Sequence, residues 1–293
     1  MTLASSEMLL SACSPSPPNP ELATVSSPNV QRGTAADDSE VTVNCLRCGG
    51  ALPTSPGLDR NRSCPGCGAS VLVDDVAIDV IPGRPPPRSW GARAMESQWL
   101  ARVYGGWWRP AVFAISAGPH MPRADEESRL VVARLAGIAG PWLDLSCGPG
   151  TLTGRLVEHS KGRRIVGVDV SRAMLALARK AAPGAMLVRA DAAALPFGDG
   201  AFGAVVNMAA LDLYPSAERV IIESARVLAR GGRWVGSTFV TSVRLPFLSA
   251  LAVAAGVRTP RLDELAGWVE RAGLARFATA AFGRYVIAWA DKC

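Results

Sequence analysis

Three short apolar runs, each meeting an aspartate at or just past its end, constrain this chain most. Trp142-Leu-Asp-Leu145 carries Asp144 and runs into Ser146-Cys-Gly-Pro-Gly150; Ile165-Val-Gly-Val-Asp169 ends in Asp169; Met186-Leu-Val-Arg189 is followed by Ala190-Asp191. Segments of helical periodicity, 151–159 and 172–181, lie between them. Short apolar runs alternating with helical segments signal βαβ units and a parallel sheet. The same reading gives helices at 124–137, 217–229 and 261–271, and strands at 204–207, 233–239, 275–281 and 285–290.

The acids have a chemical meaning in this order. A glycine-rich turn between strand and helix is common to many nucleotide sites and is weak evidence alone. Asp144, however, sits four residues before Gly148, where a carboxylate would repel a pyrophosphate. A ligand at this turn is expected to carry a cation. Asp169 can accept hydrogen bonds from both hydroxyls of a ribose. Asp191 can accept from an exocyclic amine such as that of adenine, with the following N–H facing a ring nitrogen. An amine, a ribose and an adenine in that sequence describe S-adenosylmethionine.

The stretches Asp144-Leu-Ser-Cys-Gly-Pro-Gly150, Gly167-Val-Asp169-Val-Ser171-x2-Met174-Leu175, Arg189-Ala-Asp191-x3-Leu195-Pro196-Phe197 and Arg226-Val-Leu-x2-Gly231-Gly232 resemble the successive motifs of class I S-adenosylmethionine-dependent methyltransferases. The resemblance covers about residues 124–239. It implies an α/β, Rossmann-like fold with a mostly parallel seven-stranded sheet, preceded by a small zinc ribbon. It also implies that Asp144, Ser146, Gly148 and Gly150 line the methionine end, that Asp169 and Val170 meet the ribose, that Asp191 and Ala192 meet the adenine, and that Asn207 belongs to the cofactor set. The whole chain is similar to uncharacterised plastid and bacterial methyltransferases, and more distantly to bacterial ribosomal-RNA guanine-N1 methyltransferases.

In this superfamily the segment after the fourth strand, here Asn207 to Pro215, builds the acceptor face. Asp212, Tyr214 and then His120 are the candidates for a catalytic role, a base being needed only where the acceptor loses a proton. Many relatives carry histidine where Asp212 stands, and Asp212 could equally cap the helix that begins near Ser216. An Asn/Asp-Pro-Pro-aromatic motif is absent at 207–210, which argues against adenine-N6 or glutamine methylation. Cys147 reads as a small packing residue and His159 as a solvated one. The apolar insert at 243–257 lies where the superfamily commonly covers its acceptor, which implies an apolar or aromatic small molecule.

Cys45-x2-Cys48-x15-Cys64-x2-Cys67 has the spacing of a four-cysteine zinc ribbon. Four thiolates close the coordination sphere, so the metal is expected to be structural. A unit of ~40 residues gains from metal the folding energy it cannot draw from burial. Loss of one ligand is expected to unfold this unit and spare the rest.

The chain thus divides into a solvated tail at 1–40, a ribbon at 41–81, a linker and aromatic helical lead-in at 82–123 (Pro85 to Pro87, then Trp90, Trp99, Tyr104, Trp107, Trp108 and Phe113) and a catalytic domain at 124–293. Half the residues are hydrophobic, 49%, and no apolar run reaches the ~20 residues that span a bilayer. Cysteine pairs of metal spacing fit a reducing compartment, so the chain is read as cytoplasmic. The net charge of +6 splits unevenly: residues 1–40 hold one base and five acids, 41–90 five bases and four acids, and the remainder 25 bases and 16 acids. The near-neutral ribbon weakens an RNA-grip reading. The expected function is methyl transfer to a small apolar or aromatic molecule at O or C. The alternatives are a ribosomal- or transfer-RNA base methyltransferase and an inactive cofactor-binding scaffold.

Overall fold

The pleat sorts the side chains of the apolar strands into two layers. In the computed structural model, which describes residues 41–54, 60–81, 122–241 and 258–293, the central strands β4 (Trp142–Leu145), β5 (Ile165–Asp169) and β7 (Phe202–Asn207) are buried along their whole length. Alternate residues face opposite sides of a strand. Trp142, Ile165, Ala204 and Val206 therefore join one hydrophobic cluster, while Leu143, Leu145, Val166, Val168 and Val205 join the other. The first cluster is covered by α1 (Ala124–Arg134), α2 (Thr151–His159) and α3 (Arg172–Ala181), through Val131, Leu135, Leu156, Leu175 and Ala178. The second is covered by α4 (Ala217–Val227) and α5 (Leu262–Arg271), through Val220, Ile221, Leu265 and Val269.

The remaining strands are β1 (Asn61–Ser63), β2 (Ser70–Val73), β3 (Ile78–Asp79), β6 (Met186–Arg189), β8 (Leu228–Phe239), β9 (Leu274–Phe282) and β10 (Tyr285–Lys292). Among the described residues they form one sheet in the order β1-β2-β3-β6-β5-β4-β7-β8-β10-β9. The run from β6 to β8 is parallel, and β10 inserts antiparallel between β8 and β9. The seven expected strands are all present, with β4, β5 and β6 at the expected bounds. β8 starts five residues earlier than expected. Gly231 and Gly232, which lie ahead of the expected strand, sit in a bulge where the pairing with β7 jumps from Phe202↔Leu228 to Ala204↔Arg233. The first helix is shorter than expected, ending at Arg134 ahead of Gly137 with its positive φ of 81°.

The cysteine-bearing segment is continuous with this sheet. β3 pairs parallel to β6 through Ile78↔Val188 and Asp79↔Arg189, and β1 and β2 extend the edge antiparallel. No helix occupies the link 190–201 between β6 and β7. Val41, Val43 and Leu52 cluster there with Val188, Leu195 and Phe197, and the Asn44 N–H donates to the Pro196 carbonyl at 2.7 Å. The segment thus shares a core and a ladder with the larger domain, which removes the physical basis for its unfolding alone. The tail 1–40, the residues 82–121 with the aromatic stretch and His120, and the insert 242–257 lie outside the described residues. No helix among the described residues is long and apolar enough to cross a membrane.

The α2–α3 contact depends on small residues. A Cβ on Gly150 would lie 2.6 Å from the Ala178 Cα, and one on Gly154 would lie 2.7 Å from the Ala181 carbonyl oxygen. Gly150 also adopts φ 81°. Gly150→Ala combines left-handed strain with a backbone clash and is expected to cost on the order of 3 kcal/mol, measured by urea unfolding.

Candidate cofactor and acceptor site

The direction of travel through the sheet reverses at β4, with β5 and β6 on one side and β7 and β8 on the other. The carboxyl ends of parallel strands at such a reversal form the crevice where ligands bind. The loops after β4, β5, β6 and β7 all open onto this edge. They carry Asp144 to Gly150, Asp169 and Val170, Asp191 and Ala192, and Asn207.

Asp144 is 2% exposed and accepts from the Thr153 hydroxyl at 2.6 Å. Burial pushes its carboxyl up to about 7, the Thr153 bond pulling the other way and the charge of Asp169 adding to the rise. Asp169 is also raised by burial, against the pull of the N–H bonds it accepts from Ser171 at 2.8 Å and Gly148 at 2.9 Å. Two buried carboxylates whose charges repel one another favour a cationic ligand. Gly148 and Gly150 differ in role: no atom lies within 4 Å of a Cβ placed on Gly148, whereas Gly150 is pressed against α3. The first glycine leaves open space at the turn and the second admits the helix.

On the adenosine side, Val170 is 36% exposed and Asp191 half-buried. Asp191 accepts from the Ala193 N–H at 3.0 Å, which folds the loop over the buried Ala192. On the other side, the Tyr214 hydroxyl lies 2.5 Å from the Ser146 Oγ and accepts from the Asn207 Nδ2 at 2.9 Å. Asn207 is fully buried, donates to the Leu145 carbonyl at 2.8 Å, and among the described residues has no hydrogen-bond partner for Oδ1. Ser146 holds a left-handed φ of 58°, a conformation that non-glycine residues adopt at a cost of about 1–3 kcal/mol. The loops after β4 and β7 therefore meet at one hydroxyl cluster.

Asp212 follows in a single 3-10 turn, Leu211–Leu213. It is 6% exposed, and Oδ1 has no hydrogen-bond partner among the described residues. The helix cap weighed for it belongs to Ser216, whose Oγ accepts from the Arg219 N–H at 3.3 Å. Burial raises Asp212 to about 6 and Tyr214 well above the ordinary phenol range. At neutral pH, Asp212 can take a proton and Tyr214 holds its own. His120 lies outside the described residues; His159 is exposed, 2.9 Å from the Arg155 carbonyl. Cys147 is buried, with Sγ 3.2 Å from where a Cβ on Gly167 would stand, and serves as packing.

Two contributions had no clear signal in the sequence. Thr153 is one hydroxyl in a helix, and only the turn of α2 aims it at Asp144. A buried chain runs from Glu127 to the Tyr285 hydroxyl, on to the Ser237 Oγ at 2.6 Å, and ends at the Ala209 N–H at 2.8 Å, bracing the acceptor loop from behind.

At the ribbon, the four Sγ atoms of Cys45, Cys48, Cys64 and Cys67 lie within 4.8 Å of one another, with Cys45–Cys67 at 3.6 Å and Cys48–Cys64 at 3.5 Å. A tetrahedral ion at the ~2.3 Å zinc–sulfur distance requires sulfurs about 3.8 Å apart. The two knuckles repeat one geometry: Gly49 donates to the Cys45 carbonyl at 2.8 Å and Gly68 to the Cys64 carbonyl at 2.9 Å, both glycines with positive φ.

A family profile described as "Methyltransferase domain" matches residues 143–236. The trans-aconitate 2-methyltransferase of Methylobacterium nodulans is 34% identical over 178 residues, covering 54% of this chain and 67% of that protein. The chain belongs to the class I S-adenosylmethionine-dependent methyltransferases. A demethylmenaquinone methyltransferase of Thermus thermophilus is 43% identical over 97 residues, which cover 32% of this methyltransferase-family chain. An uncharacterised chloroplastic methyltransferase of Arabidopsis thaliana is 33% identical over 155 residues, 50% of this chain. The chain spans 44% and 43% of the lengths of these two relatives. The 4+2 cyclase SpnF shares the fold at a TM-score of 0.53 and 19% identity, over 72% of this chain and 99% of that one. A geranyl diphosphate methyltransferase with GPP and sinefungin does so at 0.50 and 17%, over 58% and 78%.

The raised pKa of Asp212 has a sign that can be checked. The folded state holds this proton more tightly than the unfolded chain, so the cost of burying the charge is absent below about 4 and complete above about 6. Stability attributable to Asp212 therefore falls as pH rises through that window. Asp212→Asn is expected to flatten the slope and to raise the unfolding free energy at pH 7 by on the order of 2 kcal/mol, measured by denaturant titration across pH.

Proposed function

We propose that the chain transfers a methyl group from S-adenosylmethionine to a small apolar or aromatic acceptor at oxygen or carbon. The observation that carries this reading is Asp212. Its buried carboxylate oxygen, unpartnered among the described residues, and a raised pKa of about 6 suit a base that takes a proton from a hydroxyl or activated carbon during attack. The bound cofactor supplies a methyl group on a positively charged sulfur. Asp144 would pair with its amino group, Ser146, Gly148 and Gly150 would line the methionine end, Asp169 and Val170 would hold the ribose, and Asp191 and Ala192 the adenine. Asn207 and Tyr214 would fix the wall between methionine end and acceptor, and His120 remains a third candidate for the acceptor side. The relatives named for demethylmenaquinone and trans-aconitate support a small-molecule acceptor over RNA. The near-neutral charge of the ribbon segment agrees.

The four-cysteine cluster fits a structural zinc ion held by Cys45, Cys48, Cys64 and Cys67. We read the units as a tail at 1–40, a ribbon at 41–81, a lead-in at 82–123 and the methyltransferase domain at 124–293, in a cytoplasmic protein. Zinc analysis of Cys64→Ala is expected to show loss of stoichiometric metal and a lower melting temperature for the whole chain; retained zinc would refute the ligand set.

The function itself is tested with labelled cofactor and a cell extract fractionated into RNA and metabolites. Label is expected in the metabolite fraction, and label confined to RNA would overturn the acceptor class. Activity on the acceptor so found should fall below an apparent pKa near 6, where Asp212 becomes protonated, and Asp212→Asn should abolish that limb. Binding near pH 7 should release protons from Asp144, seen as calorimetric enthalpies that vary with the buffer. Cofactor binding by the wild-type chain with no label transferred to either fraction would leave the scaffold reading.

A further inference from the structure

The contact between ribbon and sheet edge converges on one side chain. Arg189 is the last residue of β6, two before Asp191, and is 8% exposed. Its Nη1 donates to the Asp79 Oδ2 at 2.9 Å and to the Ile81 carbonyl at 3.2 Å, both on the ribbon side. Its Nε donates in the opposite direction, to the Val170 carbonyl at 2.8 Å. Val170 directly follows Asp169, whose carboxylate gathers the N–H groups of Ser171 and Gly148. The guanidinium charge also opposes the burial-driven rise of the Asp169 carboxyl. Asp79 is itself fixed, 3% exposed and accepting from the Ile81 N–H at 3.0 Å. A single rigid fork therefore ties the strand that leaves the metal ribbon to the turn assigned to the ribose, while its own strand leads into the turn assigned to the adenine.

We propose that Arg189 is a positioning residue through which the cysteine ribbon sets affinity for the adenosine half of the cofactor, so that metal in the ribbon and cofactor in the crevice bind cooperatively. The inference rests on the cofactor reading above. Metal holds the two knuckles and with them the β2–β3 hairpin; Asp79 holds Arg189; Arg189 holds the backbone at 170. Without Asp79, a buried guanidinium loses its counter-charge and the fork loses one anchor. Energetic coupling between two sites is reciprocal, so the cofactor must also tighten the metal. Two other ribbon-side pairs bond the backbone of neither turn: the Arg172 guanidinium pairs with Asp74, and the Arg179 guanidinium donates to the Val76 carbonyl at 3.1 Å.

The test is isothermal titration of S-adenosylmethionine into the full zinc-loaded chain, its chelator-treated form, and the variants Arg189→Met, Arg189→Lys, Asp79→Asn and Arg172→Met. Arg189→Met, Asp79→Asn and metal removal are each expected to weaken cofactor binding on the order of tenfold, within the usual range of coupling between sites. Arg189→Lys keeps the charge without the fork and should fall between. Arg172→Met should lower the melting temperature while leaving cofactor affinity unchanged. Once an acceptor is known, Arg189→Met should raise KM for the cofactor and leave kcat at saturation within about twofold of wild type. A folded Arg189→Met or a metal-free wild type that binds with wild-type affinity overturns the proposal. So does an equal loss in Arg172→Met, which would show general destabilisation. Should Arg189→Met not fold, Asp79→Asn and the metal-free wild type decide by the same criterion. A zinc-loaded wild type that binds no cofactor sinks the cofactor reading and this one together, whereas binding by wild type with no effect in the variants sinks this one alone.

Discussion

Two carboxylates buried at the ends of adjacent strands are the constraint on which the rest of this site depends. Asp144 and Asp169 are each surrounded by protein, burial raises the cost of ionising both, and the charge of Asp169 adds to the cost at Asp144. Local donors offset that cost, the Thr153 hydroxyl for one and the N–H groups of Gly148 and Ser171 for the other, and the Arg189 charge adds to the relief at Asp169. Those donors exist because the chain turns sharply after each strand. The turns in turn need the small residues at Gly148 and Gly150 and the left-handed backbone at Ser146. The anionic crevice and the tight packing of α2 on α3 are thus one feature, since a larger residue at Gly150 would displace the helix that presents Thr153.

The loops after β4 and β7 are held together by hydroxyl chemistry. Tyr214, Ser146 and Asn207 form a cluster joining the loops after β4 and β7. Behind it, Glu127, Tyr285 and Ser237 brace the backbone at Ala209 from residues on α1, β10 and β8. A polar network with satisfied members rigidifies the elements that it joins. Asp212 stands apart, with one oxygen unpartnered among the described residues, and its burial is what raises its pKa.

The ribbon changes how the domain covers its own sheet. The link between β6 and β7 holds no helix, and the Val41, Val43 and Leu52 side chains fill that face instead. The edge strand β6 is capped by β3, which leaves its ladder paired and gives Arg189 a buried partner in Asp79. A segment that reads as a separate metal-held unit is thereby part of the hydrophobic core.

Much of this was legible in the chain itself. The apolar runs at 142–145, 165–169 and 186–189 became strands at those bounds because buried parallel strands need continuous apolar stretches and little else. The acids at their ends and the CxxC pairs were equally plain, since each chemistry depends on residue type at short spacing. The β8 bulge was hidden, because Gly231 and Gly232 suit a turn and a bulge alike. So was the fork of Arg189, whose partners Asp79 and Val170 lie 110 and 19 residues away. Local order and the kinds of ligand were determined by the sequence, through contacts within a few residues. Which strand the ribbon would join, which hydroxyl would meet Asp144, and that Asp212 would be buried rather than capping a helix were decided only by tertiary packing, because each depends on surfaces brought together by closing long loops.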